Sequence, residues 1–568
     1  MDIKSILSQT IVDGLGGEIK AEEFFWEHPT LDKFGDYSTN IVLLKKGGSE
    51  LAKRISEAVN KSELVSKAEI AGPGFVNVWL ADKVWLDNLN EIIVRGARYG
   101  GTTILANSKI MVEYAHPNTH KEMHIGHMRT LITGESIARI LQKNGATVFR
   151  ANYQGDIGPH VAKAIWGTQK IVSERGLSWE DAGKIHYNQK AHLLGEGYVL
   201  GSKEYENSKD EIDKLNKDLY ERKVDVMGVY NMTRQWSLDY YKSFYDRFGT
   251  KFDRLFFESE VAEQAKILVQ ENEGKVFERS DGAIIFDGEK YGLHKRVFLT
   301  KDDNPTYEGK EMALGYLQYK TFPFDRCIHV VANEQSGYFS VVIKALEMMD
   351  KLFAGKEYHL PMGMVNLVGR KMASRTGDIL TVDSLIDEIK SMARGLIRFD
   401  GVMDHEIEEI SEAVALAAIK YSVLKTNPEL NVAFDPKQSV SLDGSSGPYL
   451  QYTYARCRSV LAKAKTDISQ IDYSTYSQLL LPEERQVLSR LFRYREVVEE
   501  AGLKLSPNLI AGYLHDLASV FNNFYNQHSI LAADNSGVIE FRLGLTEAVA
   551  QVIANGLDDL GIKTIDRM

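Results

Sequence analysis

Residues 113–130 read E-Y-A-H-P-N-T-H-K-E-M-H-I-G-H-M-R-T, a polar loop caught between two apolar elements. Ahead of it, Ile110, Met111 and Val112 form a short apolar run of the kind that makes a strand buried on both faces. Behind it, Leu131, Ile132, Ile137, Ile140 and Leu141 recur at helical spacing and stop at Asn144 and Gly145, a helix C-cap signal. A second strand follows at 147–150. The order predicts a βαβ unit, and in an open α/β sheet the loop feeding the helix is where ligands bind. His124 and His127 lie three apart and face the same way on a starting helix. Gly126 between them offers no side chain, so a flat ring can approach the backbone.

At 568 residues the chain needs several domains, because single cores rarely grow past about 250–300 residues. Its 44% hydrophobic and 26% charged content fits a soluble globular protein. No run approaches the roughly 18 apolar residues of a membrane span. Met1, Asp2, Ile3 and Lys4 begin no basic-then-apolar leader. The expectation is a cytoplasmic protein with no membrane partner. Cys327 and Cys457 are far apart and form no CxxC pair, which argues against a disulfide framework or a zinc ribbon. A net charge of −11 disfavours a generic nucleic-acid coat but leaves room for a focused basic face.

In chain order, residues 1–90 read as a small α+β module with an amphipathic helix at 51–59. After Gly72, Pro73 and Gly74, the residues Phe75, Asn77 and Trp79 alternate with Val76, Val78 and Leu80, a strand signal. Phe75 and Asn77 suit stacking on, and bonding to, an unstacked base; an ordinary edge strand gives the same alternation. Residues 91–165 hold the βαβ unit and the stretch 152–158, read as a ligand-facing loop. Residues 166–290 read as an insertion, with a charged helix at 210–226 striped by Ile212, Leu215 and Leu219, and a short strand at 282–286.

The alternating pattern resumes over 291–385, with strands at 296–300 and 328–331 and a helix opening at Tyr307. Its loop at 369–377 sets Arg370, Lys371 and Arg375 among glycines, which suits polyphosphate. Residues 386–450 form a helical region and 451–568 a further helical domain. There Tyr449, Tyr452, Tyr454, Arg456 and Arg458, and again Arg493, Tyr494 and Arg495, interleave aromatics with cations. Core packing accounts for many of these, and stacking with cation–π contact is also how single-stranded bases are held.

Three readings stand on the residues alone. One is adenylyl transfer from ATP, with paired histidines at a helix start and a distant basic loop for the departing pyrophosphate. Another is metal binding through His116, His120, His124 and His127, for which no nearby cysteine completes a closed site. The third is a helical scaffold that binds RNA.

His124-Ile125-Gly126-His127 resembles the HIGH signature of class I aminoacyl-tRNA synthetases. The longer V-E-Y-A-H-P-N-T-H-K-E-M-H-I-G-H-M-R resembles the arginyl-tRNA synthetase form V-E-x-x-x-P-N-x-x-K-x-x-H-x-G-H-x-R. Residues 152–158 resemble that family's N-Y-x-G-D-x-G, residues 280–283 its S-D-G-A, and the stretch around G-P-Y-L-Q-Y its junction with the anticodon-binding domain. G-D-Y-S-T-N at 35–40 and G-P-G-F-V-N at 72–77 resemble its additional N-terminal domain.

The resemblance implies an α/β, Rossmann-type class I catalytic domain with an α+β N-terminal module and an all-α C-terminal domain. It implies ATP used as Mg²⁺–ATP, L-arginine and tRNA(Arg) as partners, and activation that needs tRNA present; the cysteine and histidine spacing adds an expectation of no zinc, and a monomer is the expected state. His124, Gly126, His127 and Lys371 would hold ATP, with Arg375 beside Lys371 on the pyrophosphate. Glu113, Asn118 and Gln335 would hold the amino acid's α-amino and α-carboxylate groups, and Tyr307, Glu258 and Glu311 its guanidinium side chain. Phe75 and Asn77 would read a base of the tRNA D-loop.

Two departures stand out. The family's Y-x-x-R-D becomes Tyr307-Glu308-Gly309-Lys310-Glu311, one methylene longer at the acid and not equivalent at the cation. The basic loop reads Lys371-Met372-Ala373-Ser374-Arg375-Thr376, without a second lysine. These departures are the argument for the alternative, a synthetase-like paralogue that binds RNA without aminoacylation. A pantothenate-synthetase-like ligase would leave the helical C-terminal third without a role.

Overall fold

The computed structural model describes residues 2–369, 381–396, 403–464, 467–468, 470–476, 478–533 and 535–568. Lys371 and Arg375, expected on the pyrophosphate, lie outside the described residues. The chain opens with the helix Ile3–Gly14, which buries Ile3, Leu7 and Ile11 against the helix Gly48–Val59. That second helix covers an antiparallel sheet of β1 Trp26–Glu27, β2 Tyr37–Thr39, β3 Val65–Ala71 and β4 Phe75–Leu80. The strand order β1-β2-β4-β3 puts β4 inside the sheet, not at its edge. Val76, Val78 and Leu80 are fully buried, as period-two alternation requires.

The catalytic core takes β5 Lys109–Glu113, β6 Thr147–Gln154 and β7 Arg254–Phe257. A small antiparallel sheet of β8 Glu278–Ser280, β9 Ala283–Phe286 and β10 Arg296–Leu299 comes next. β11 Arg326–Ala332 and β12 Glu357–Met362 then return to β5, giving a parallel sheet in the order β12-β11-β5-β6-β7. The chain leaves β5 for β6 on one side and comes back to β11 on the other. The switch point therefore falls at the carboxyl end of β5, where Glu113 begins the polar loop. The crossover is the helix Ile125–Lys143, whose Leu131, Ile132, Ile137, Ile140 and Leu141 are all buried.

Four expectations are corrected here. The stretch 152–158 is not all loop, because β6 runs to Gln154; the amides of Asn152 and Gln154 are accommodated in the core by the Tyr245 hydroxyl, 3.1 Å from each. The insertion expected at 166–290 is not one piece. β7 lies within it and pairs with β6, leaving a helical excursion before it and the β8–β10 sheet after it. The single helix at 210–226 is two, Lys209–Tyr220 and Val224–Arg247, broken where Arg222 takes a φ of +52°. The strand at 296–300 does not resume the parallel sheet, since β10 pairs antiparallel with β9.

Helices Val382–Leu396, Asp404–Leu424, Gly447–Lys463, Pro482–Lys504, Pro507–Gln527 and Ser536–Asp559 make up the rest, with the short parallel pair β13 Val365–Leu367 and β14 Val432–Phe434 at the junction. Arg129 ties the crossover helix to this junction. Its guanidinium donates to the Met364 carbonyl at 2.8 Å and to those of Pro428 and Leu430 at 2.8 and 2.6 Å. Much of the interleaved aromatic and arginine pattern resolves into packing. Tyr494 is fully buried and donates to Asp559 at 2.6 Å, and Arg456 donates to Asn522 at 2.6 Å. Among the described residues, no helix is long and apolar enough to cross a membrane.

Candidate active site

The loop from β5 to the crossover helix is held in an unusual shape. Ala115, His116 and His120 have φ of +78°, +49° and +63°, a region that non-glycine residues rarely occupy. Such conformations persist only where the surroundings over-determine them. His120 shows how: its ring nitrogens bond to the Thr119 and Thr233 hydroxyls, both at 2.9 Å, and its N–H donates to Ser237 at 2.9 Å. His120 is thus a buried structural residue, and the four histidines do not assemble a metal site.

His124 is the N-cap of the helix. Its Nδ1 accepts from the backbone N–H of Gly126 at 3.1 Å and of His127 at 3.4 Å. In return His127 Nδ1 accepts from the His124 N–H at 3.4 Å, and the rings stack with centroids 3.7 Å apart. Burial, then Lys121, lowers His124; burial, then His124, His116 and Lys121, holds His127 well below the ordinary imidazole value. Both rings are therefore neutral near pH 7. With Nδ1 accepting, each carries its proton on Nε2 and offers one outward donor. A Cβ at Gly126 would lie 2.9 Å from His124 Cε1, so the cap itself demands glycine there. Two N–H donors at a helix N-terminus form an anion site.

The expected amino-acid residues gather beside it. Tyr153, on β6, is half-buried, and burial raises its hydroxyl well above the usual value, with the charges of Glu258, Glu311, Glu113 and Asp156 adding to the rise. Gly155 separates two of the expected residues: a Cβ there would lie 2.3 Å from Asn118 Oδ1 and 3.1 Å from Glu258 Oε1. Asp156 is fully bonded, accepting from Tyr230 at 3.0 Å, Arg234 at 2.9 Å and the Ser259 N–H and hydroxyl at 2.9 and 2.7 Å. Those bonds fix the start of the helix Glu258–Glu271 and so place Glu258.

Two of the carboxylates have partners the sequence reading did not foresee. Glu258 Oε2 is 2.6 Å from Lys310 Nζ, both side chains being 4% exposed. Glu113 accepts from Gln318 and lies 3.1 Å from His329 Nδ1. Burial would raise Glu113, but His329, then His116 and Gln318, outweigh it and hold it at about 2. Glu311 accepts from the Tyr338 hydroxyl at 3.1 Å, and burial followed by the Glu113 carboxylate pushes it up to about 8. Tyr307 opens the helix Tyr307–Thr321 at 56% exposure, its ring 5.4 Å from Lys310 Nζ. Gln335 is exposed in the turn after β11.

The N-terminal pair sits apart from this pocket. Asn77 is buried and its Oδ1 accepts from Ser38 at 2.7 Å, while Phe75 is half-buried. Tyr153, Gln318, His329 and Tyr338 were missed as site residues. Tyr153 alone had a local signal, the N-Y-x-G-D-x-G stretch; the others are placed only by sheet pairing and helix packing.

A parallel sheet with a stacked histidine pair at its switch point is the layout of a class I aminoacyl-tRNA synthetase. Comparison with known proteins bears on the branch. The family model described as tRNA synthetases class I (R), catalytic domain, matches residues 88–435; the DALR anticodon binding domain matches 450–568, and the arginyl tRNA synthetase N terminal domain matches 1–80. The chain is 32% identical to an arginine–tRNA ligase of Porphyromonas gingivalis, covering 98% of this chain and 96% of that one. It is 31% identical to one of Bacteroides fragilis over the full length of both. The Thermus thermophilus arginyl-tRNA synthetase structure superposes with a TM-score of 0.81 at 26% identity, covering 99% of each chain. The chain belongs to the arginyl-tRNA synthetase family of class I.

Proposed function

We propose that the chain is an arginine–tRNA ligase that activates L-arginine with ATP, taken up as its Mg²⁺ complex, and charges the 3′ end of tRNA(Arg). The observation that supports this reading is a neutral, reciprocally capped histidine pair on the helix after β5, together with two buried carboxylates, Glu113 at the end of β5 and Glu258 facing Asn118 across Gly155. An arginine carboxylate oxygen attacks the α-phosphorus, the bond to pyrophosphate breaks, and arginyl-adenylate remains. The tRNA 3′-terminal hydroxyl then attacks the acyl carbon and AMP leaves. His124 and His127 donate to the phosphates as negative charge shifts toward the leaving group, and Gly126 leaves room for the adenine. Asn118, Glu113 and Gln335 position the amino acid's α-groups.

For the side chain, Glu258 keeps Oε1 toward Gly155 and Asn118 while Lys310 holds Oε2, and Tyr307 covers the opening. Phe75 and Asn77 remain the proposed D-loop contact, through Phe75 and whatever of the Asn77 amide Ser38 leaves free. Division into an N-terminal module at 1–90, a catalytic domain over 91–385, a helical region at 386–450 and a helical domain at 451–568, a monomeric state and a cytoplasmic setting belong to the same proposal. The direct test is purified protein with ATP, tRNA and each amino acid in turn. Charging with arginine alone supports the reading, and no charging at all returns the non-charging paralogue.

Two predictions arise here. Glu311, at about 8, is mostly protonated at pH 7 in the free protein, and a guanidinium beside it favours the carboxylate. Arginine binding then releases a proton. The arginine KM falls as pH rises toward 8, by up to about tenfold per pH unit, and Glu311→Gln flattens that profile. A flat wild-type profile removes Glu311 from the guanidinium site. The second concerns the basic loop: Arg375→Ala slows arginine transfer to tRNA by at least about tenfold, or roughly 1.4 kcal/mol, and an unchanged rate sinks the assignment.

A further inference from the structure

The parallel pairing of β11 with β12 sets Cys327 opposite Glu357, and Cys327 and His329, two apart on β11, share one face of the sheet. One thiol, one imidazole and one carboxylate donor atom from these residues all lie within 4.8 Å of one another. His329 Nε2 is 2.8 Å from Glu357 Oε2, and the two side chains are 6% and 3% exposed. Cys327 is fully buried with a free thiol. Glu357 Oε1 is buried and has no hydrogen-bond partner. We propose that Cys327, His329 and Glu357 form a binding site for one soft divalent cation of the zinc type.

The donor set fits that class. Thiolate with imidazole selects zinc-like ions over magnesium or calcium, which take oxygen ligands. Zinc bonds of about 2.0–2.3 Å place tetrahedral donors roughly 3.3–3.8 Å apart, so the widest pair has to close by about 1 Å. The second ring nitrogen supplies an independent sign. A metal-bound imidazole usually gives its other N–H to a carboxylate, which fixes the ring, and His329 Nδ1 lies 3.1 Å from Glu113 Oε1. Binding displaces the thiol proton and the proton between Nε2 and Glu357, while the Nδ1 proton stays with Glu113. The orphan Glu357 oxygen gains a partner. The fourth position falls to water, in the small cleft that His329 and Glu357 line.

The site joins β11 to β12 and, through His329, orients Glu113. That last consequence rests on the proposed role of Glu113 toward arginine; the site itself does not. Chain spacing gave an expectation of no zinc because spacing cannot register residues that only strand pairing brings together.

The test uses the full-length protein, freed of metal by chelation and titrated with Co²⁺ while thiolate-to-cobalt absorption is followed in the near ultraviolet. One equivalent is expected to bind with that absorption, to be competed away by Zn²⁺, and to be lost in Cys327→Ser but kept in Cys457→Ser. Cys327 and Cys457 are the only cysteines, so the two variants assign the sulfur. X-ray absorption on the zinc-loaded wild type, which depends on no variant, is expected to show one sulfur with nitrogen and oxygen neighbours. No thiolate–cobalt absorption in folded wild type, absorption surviving Cys327→Ser, or zinc without a sulfur neighbour each overturns the proposal. None of these readouts involves aminoacylation, so they stand whatever the charging assay returns.

Discussion

His127→Ala is expected to slow arginine activation by about 10²–10³, the usual loss for one preorganised donor, equivalent to about 2.7–4 kcal/mol. The arginine KM is expected to move little, because the residues proposed to hold the amino acid are Glu113, Asn118, Gln335 and Glu258 and not the histidine rings. The size follows from geometry: the Nε2 proton is fixed outward because Nδ1 is occupied by the His124 N–H at 3.4 Å. No reorganisation is then needed as charge moves onto the phosphates. His124→Ala loses its donor and also the N-cap accepting from Gly126 and His127, so it adds about 1 kcal/mol of instability. ATP–pyrophosphate exchange with tRNA present reads the rate, and thermal unfolding reads the cap. An activation rate unchanged in His127→Ala takes the ring off the phosphates.

The same rings set a lower pH limit. Their folded-state values lie below the ordinary 6.5, so the unfolded chain binds protons first as pH falls. Their contribution to stability is complete above about 6.5 and is lost progressively below it. The loss is steepened by stacking, since protonating both rings sets two like charges 3.7 Å apart.

The histidine pair was legible in the sequence because every interaction that shapes it is local. An N-cap, its reciprocal bond and the glycine between them span four residues, and the strand before and helix after carry clean periodicities. The proposed arginine pocket was legible only by resemblance, because its residues meet only through long-range packing. Lys310 and Glu258 are 52 positions apart and meet through the packing of the helices that each begins or sits near. His329 reaches Glu113 only because β11 pairs with β5. β7 was lost inside an expected insertion since four residues, Arg254, Leu255, Phe256 and Phe257, are too short a run to outweigh the charged helices before them. Asn152 and Gln154 read as loop residues because polar amides do not announce a buried strand; one distant hydroxyl, Tyr245, makes it possible.

Lys310→Met is the second large effect, and it concerns the departure from the family pattern. Removing one partner of a buried ion pair leaves the other charge without compensation and costs about 3–5 kcal/mol. Here the stranded group is Glu258, 4% exposed and already raised by burial even with Lys310 beside it. Without the lysine it rises further, so the variant's instability eases as pH falls. Arginine binding suffers for the same reason: a carboxylate that protonates more readily and has lost its fixed partner is a poorer acceptor for the guanidinium. The expected result is a lower denaturation midpoint together with a raised arginine KM. Lys310→Arg recovers both, because a guanidinium can also reach Glu258 Oε2. Lys310→Met with Glu258→Gln recovers stability alone, having removed the buried charge but also the contact for substrate. That split separates the two roles of the pair. A single variant with wild-type midpoint and wild-type KM would show that Lys310 and Glu258 are not coupled in the folded protein, whatever their 2.6 Å separation.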